Sequence, residues 1–148
     1  MKQLWTPRHS ITLSLIATYL AAASLLASMI FAQALIEQLL GLPAPWARGL
    51  AWVFYACCPA GWAAIGSLLK LLHNLRAGRV FVRQNVQLLR LLSWCFVFVA
   101  VVSFAAVYWF PSLLIVGIAA GFLGLILRVV KNVIAQATQL REENDLTI

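Results

Sequence analysis

Long apolar runs separated by short polar segments set the pattern of this chain, and the apolar runs recur four times, over residues 11–31, 50–72, 91–110 and 113–127. A helix of about 20 apolar residues crosses the roughly 30 Å of a bilayer's hydrocarbon. The pattern therefore predicts an all-α fold: a four-transmembrane-helix bundle with cytoplasmic helix extensions, residues 1–148 forming one membrane domain. The fourth run is short, and it spans if its helix starts near Ser112, after Pro111, and Arg128 snorkels its guanidinium to the interface.

The polar segments differ in kind. Residues 33–48, with Glu37, Gly41, Pro43, Pro45 and Trp46, predict an outer loop, and Phe110, Pro111 and Ser112 a tight outer turn. Residues 73–90, "HNLRAGRVFVRQNVQLLR", predict a longer loop in which Gly78 suits the left-handed turn just past a helix end. The next helix then starts near Val82 or Arg83, with Arg83, Gln87 and Arg90 on one face and Val86, Leu89 and Leu92 on the face toward the bundle. Beyond Arg128, a stripe of Val130, Val133, Ile134, Ala137 and Leu140 opposite Asn132, Gln136 and Gln139 continues the fourth helix. From Ser112 to Leu140 such a helix is about 43 Å long, on the order of 15 Å more than the hydrocarbon needs. Extensions of the second and third helices beside it make a small platform rimmed with arginine, from loop 73–90 and segment 128–148.

Small residues recur at helical spacing in the first run (Ala17, Ala21, Ser24, Ser28) and in the fourth (Gly117, Gly121, Gly124). In lipid, such rows let helix backbones approach closely. They read first as packing within one bundle, and second as a face for a homo-oligomer. Pro59, inside the second run, predicts a kink.

With 64% hydrophobic and 10% charged residues, the chain departs from a soluble domain, in which about a quarter of residues are charged. The net charge of +7 is sorted by side: Lys2, Arg8, Lys70, Arg76, Arg79, Arg83, Arg90, Arg128, Lys131 and Arg141 share one side, and Arg48 stands on the other. The positive-inside rule then predicts both termini in the cytoplasm and a location in the inner membrane, with membrane lipids rather than nucleic acid facing the basic residues. A cleaved secretory signal is the competing reading of the first run, but its apolar core is about 20 residues where a signal has about 7 to 15. Trp5, Trp46, Trp52, Trp94 and Trp109 fall near span ends, as an interfacial aromatic belt does.

Candidate chemistry is sparse. Cys57, Cys58 and Cys95 fall inside spans and read as packing residues, and His9 and His73 each lack a nearby acidic partner in sequence. Metal-ligand spacing, a nucleophile motif and a glycine-rich phosphate loop do not occur, so neither catalysis nor a cofactor is expected. No span carries a central ionisable residue of the sort that marks a transport pathway.

The tail "REENDLTI" remains. It holds Glu142, Glu143 and Asp145, three of the four acidic residues, interleaved with Asn144, Leu146 and Ile148, and it emerges on the side of the basic loop. One reading folds it back on Arg76, Arg79 and Arg83, with Leu146 and Ile148 in an apolar groove, each contributing roughly 1.5 to 3 kcal/mol if fully buried. The other leaves it a frayed, solubilising end.

Two stretches, "LLHNLRAGRVFVRQNVQLLRLLSW" with Gly78, Phe81, Asn85, Leu89 and Arg90, and "GLILRVVKNVIAQATQLREENDLTI", resemble the bacterial four-span membrane family catalogued as domain of unknown function 2975. The resemblance covers about the last two thirds of the chain. Val82 departs from it, standing where a Ser or Thr helix cap is expected. The resemblance implies the architecture, and an association with a small helix-turn-helix regulator as partner. Residue by residue, the candidate interaction surface is Arg76, Arg79, Phe81, Arg83, Asn85 and Arg90 with the tail Glu142, Glu143, Asn144, Asp145, Leu146 and Ile148. The resulting expectation is a non-enzymatic interaction or regulatory protein. An oligomeric transport or pore subunit built on the Gly117 and Gly121 face, or a lipid-binding or immunity-type protein, is the alternative.

Overall fold

The computed structural model describes residues 7–147, so Lys2, Trp5 and Ile148 lie outside the described residues. It contains four α-helices: α1 (Pro7–Leu40), α2 (Ala44–Arg76), α3 (Arg83–Ala106) and α4 (Leu113–Leu146). Each is long and apolar enough to cross a membrane. The chain is an all-helical, multi-pass membrane protein.

The helices pack in chain order, α1 on α2, α2 on α3 and α3 on α4, while the backbones of α1 and α4 do not approach one another. The result is a row of four helices and not a closed ring. Two observations explain the tight end of the row. A Cβ on Gly117 would lie 3.1 Å from the Phe104 ring, and one on Gly124 would lie 3.2 Å from Val97 and 3.4 Å from the Ser93 carbonyl. The buried Ser93 hydroxyl also donates to the Gly124 carbonyl at 2.8 Å. The glycine row of α4 is thus the seam with α3. That corrects the expectation of an oligomer or pore built on Gly117 and Gly121, since α3 already covers this face.

At the other end of the row the backbone of α1 approaches that of α2 alone among the described helices. Thr18, Leu25, Met29 and Ala32 recur along one side of it. Tyr55 donates its hydroxyl to the Met29 carbonyl at 3.0 Å, and Leu25 fills the space above Gly61. The other row of small residues in α1 is left uncovered: Ala17, Ala21 and Ser24 are exposed, because no second helix reaches them.

The helices outrun the apolar runs that encode them. Most of the expected outer loop at 33–48 is helical, leaving only residues 41–43 as connector. Gln33 and Glu37 end the hydrophobicity without ending the helix, and the Gln33 amide donates to the Glu37 carboxylate one turn on, at 3.0 Å. Gly41 ends it, with φ +60° and its N–H on the Glu37 carbonyl at 3.0 Å. Pro45 then sits in the first turn of α2, where its missing N–H costs nothing. Helix α2 runs unbroken through Pro59, and a non-helical residue interrupts α1 at Phe31 (φ −109°, ψ 15°).

Candidate functional site

The basic end of the molecule is built around the six-residue connector between α2 and α3. Helix α2 closes with a paired terminal arrangement: the Gly78 N–H bonds the Leu75 carbonyl at 3.0 Å and the Arg79 N–H the Asn74 carbonyl at 2.9 Å, with Gly78 at φ +75°. This is the Schellman geometry, which satisfies carbonyls that the helix end leaves free. Val82 precedes α3 in extended conformation without a side-chain cap.

Asn85, in the first turn of α3, instead binds the connector from inside by donating to its carbonyls. It is 1% exposed, and its amide donates to the Arg79 and Val80 carbonyls, each at 2.8 Å. Its own carbonyl oxygen accepts from the Asn74 amide at 2.8 Å, and Asn74 also reaches Gln84 at 3.2 Å. The network ties the end of α2, the connector and the first turn of α3 into one unit. Asn85 is therefore a fastener beneath the surface, which corrects its expected place among the contact residues. Asn74 and Gln84 were not singled out by sequence reasoning, although Asn74 is a polar residue on the same helix face as buried Ser67 and half-buried Leu71, which was a usable signal.

The second tie joins α3 to the far end of α4. Arg83 meets Glu142 through two parallel bonds, Nε to Oε1 at 3.0 Å and a terminal nitrogen to Oε2 at 2.8 Å. Among the described residues it is the sole ion pair. Over its described residues the tail thus does not fold back. It continues α4 as helix to Leu146, Glu142 alone of its acids meets an arginine, and Leu146 is 86% exposed instead of filling a groove. Glu143 accepts from the Gln139 amide at 3.1 Å, within its own helix. Arg76, Arg79, Phe81 and Asp145 are exposed around this clasp.

The hydrogen bond from Arg83 holds the Glu142 carboxyl below its ordinary 4.5, against an opposing effect of desolvation and with a lesser contribution from the attraction between the two charges. A carboxyl depressed in the folded protein stabilises it above the unfolded pKa, and that contribution disappears as pH falls through the folded value. The clasp is therefore closed at neutral pH and opens in acid, below about 4.5. Carbon NMR of the Glu142 carboxyl should show a midpoint under 4.5 that rises on Arg83→Gln; a midpoint insensitive to that substitution would show that the pair does not form in solution.

Elsewhere the chemistry is thin. Cys58 and Cys95 are buried, Cys57 is half-buried and all three are free thiols. Among the described residues no three His, Cys, Asp or Glu side chains converge as a metal site. The space between α1 and the α3–α4 pair, about 460 Å³, is apolar, bordered by Leu35, Ile36, Phe54 and Val116, with hydroxyls only from Ser28 and Ser103.

Residues 36–148, which contain α2, α3, α4 and both ties just described, match the family model "Protein of unknown function (DUF2975)". The chain belongs to that family. The DUF2975 match takes in both stretches on which the resemblance rested, the connector and the tail, together with the Asn74–Asn85 network between them. No curated protein and no solved structure matches the chain.

Proposed function

We propose that this DUF2975 protein is a non-enzymatic interaction protein of regulatory type, anchored in the inner membrane with both termini in the cytoplasm, which engages another protein through its basic-end platform. One observation supports this above the rest. The exposed face of α4 that carries Phe122, Ile126 and Val129 continues past Arg128 as Val133, 59% exposed, and Leu140, 66% exposed. Leu140 lies 12 residues beyond Arg128, about 18 Å at helical rise, where lipid no longer covers it. An apolar stripe of this kind on a water-facing helix marks a contact with another protein. The occupant we favour is an amphipathic helix that lays its apolar side on Val133 and Leu140 and reaches Arg76 and Arg79 with acidic residues. A small helix-turn-helix regulator, the partner implied by the family resemblance, is the first to test, and on this reading the membrane protein itself does not touch DNA.

Photo-cross-linking in cells from positions 133 and 140, with position 118 as the lipid-facing comparison, tests the reading. It expects a discrete protein adduct from 140 that Val133→Asp abolishes, and lipid adducts alone from 118. Lipid adducts alone from 140 would overturn it.

A further inference from the structure

A second group of cations lies at the inner edge of the platform, beside the apolar band. Arg90 and Trp94 of α3, and Arg128, Lys131 and Asn132 of α4, border a cleft of about 290 Å³ floored by Ser93. The Ser93 hydroxyl is already committed to the Gly124 carbonyl at 2.8 Å, which leaves the three cations, the Asn132 amide and the Trp94 indole N–H as the side-chain donors bordering the cleft. No carboxylate borders it. Glu142, the carboxylate paired on this end of the molecule, lies 14 residues further along α4 than Arg128, roughly 20 Å away at helical rise.

Three like charges around one small space repel one another, and among the described residues no carboxylate pairs with them. Arg128 is nonetheless held in place. The Arg128 guanidinium carbon stands 5.3 Å from the centre of the Trp94 ring, so the aromatic face steadies the cation while the guanidinium edge keeps its N–H donors for another group. Two guanidinium forks and an ammonium suit the oxygens of a phosphate, the forks in paired geometry and the ammonium as a point charge.

The surroundings indicate where that phosphate comes from. Toward the membrane interior from Trp94, one and two turns along α3, Phe98 and Val101 are exposed, and one turn from Arg128 along α4, Leu125 is exposed as well. A headgroup seated in the cleft therefore has apolar surface directly above it for its acyl chains. We propose that this cleft binds the phosphate of an anionic phospholipid. The site is separate from the protein-docking stripe, and either can fail without the other.

The test is native mass spectrometry of the intact chain released from nanodiscs of equal phosphatidylglycerol and phosphatidylcholine. The wild type should retain phosphatidylglycerol preferentially, and Lys131→Gln should lower that preference about fivefold, the effect of one cation near the membrane surface. The triple variant Arg90→Gln, Arg128→Gln, Lys131→Gln should abolish it, whereas Arg76→Gln with Arg79→Gln, outside the cleft, should leave it unchanged. Equal losses in the cleft and non-cleft variants, or full retention by Lys131→Gln, overturn the site. A parallel titration of inorganic phosphate into phosphatidylcholine-only nanodiscs separates the sources. A melting shift that depends on Lys131 there would overturn the lipid assignment in favour of a free phosphate, and the absence of one supports the lipid.

Discussion

Asn85→Leu is expected to destabilise the basic end by about 3 kcal/mol, the largest loss from any single side chain outside the apolar band. The reason lies in what the substitution strands. Asn85 satisfies the Arg79 and Val80 carbonyls and one hydrogen of the Asn74 amide, all at 2.8 Å, within a site that is 1% exposed. Leucine has about the right volume and none of the bonds, so the buried Asn74 amide and the two part-buried carbonyls lose their partners, at about 1 to 3 kcal/mol for each that water does not reach. Asn85→Asp fares little better, because it turns a donor aimed at two carbonyls into an acceptor. Protease cleavage within residues 77–82 and the unfolding midpoint report the effect. Arg76→Gln, which changes an exposed side chain in the last turn of α2, should stay within about 0.5 kcal/mol of the wild type. If both variants behave alike, the network is not what holds the connector.

Gly124→Val should cost about 2 to 3 kcal/mol by forcing α3 and α4 apart. Its Cβ meets Val97 at 3.2 Å and the backbone carbonyl of Ser93 at 3.4 Å, and the backbone cannot swing aside. Separation would also stretch the 2.8 Å bond between the Ser93 hydroxyl and the Gly124 carbonyl. The neighbouring glycines provide an internal scale. Gly121→Ala places a Cβ at an ordinary 3.7 Å from Ala100 and should be neutral or slightly stabilising. Gly117→Ala falls between them, because its obstacle is the Phe104 ring, which can turn. Unfolding in lipid by a steric trap would order the three, and equal effects at Gly121 and Gly124 would contradict the seam.

The spans were legible because lipid leaves few options for the backbone: four apolar runs gave four helices, and Gly78 marked the turn after α2. The helix ends were less so, since hydrophobicity reports where lipid stops and hydrogen bonding decides where a helix stops. The helical segment after Phe31 illustrates it, since Gln33 and Glu37 look like loop residues by hydropathy and support one another as helix residues. The tail was misread for a related reason. Its charges invited a fold-back onto the loop, but α4 is long enough to carry Glu142 straight to Arg83 without bending. The row of helices was not legible at all, because nothing in α1 says whether its small residues will find one neighbour or two. Arg90, Arg128 and Lys131 were each visible as interfacial cations, yet only the antiparallel pairing of α3 with α4 brings them around one cleft.

The claim on which the functional reading rests is that α4 carries an apolar stripe out of the membrane and into water, for a partner to cover. Spin labels at positions 118 and 140 in bilayers, read by collision with oxygen and with a water-soluble nickel chelate, test it most directly. The account predicts oxygen access at 118, chelate access at 140, and loss of chelate access at 140 alone when the partner protein is added. Oxygen access at 140 equal to that at 118 would mean that the stripe simply faces lipid, and the docking platform would have to be abandoned.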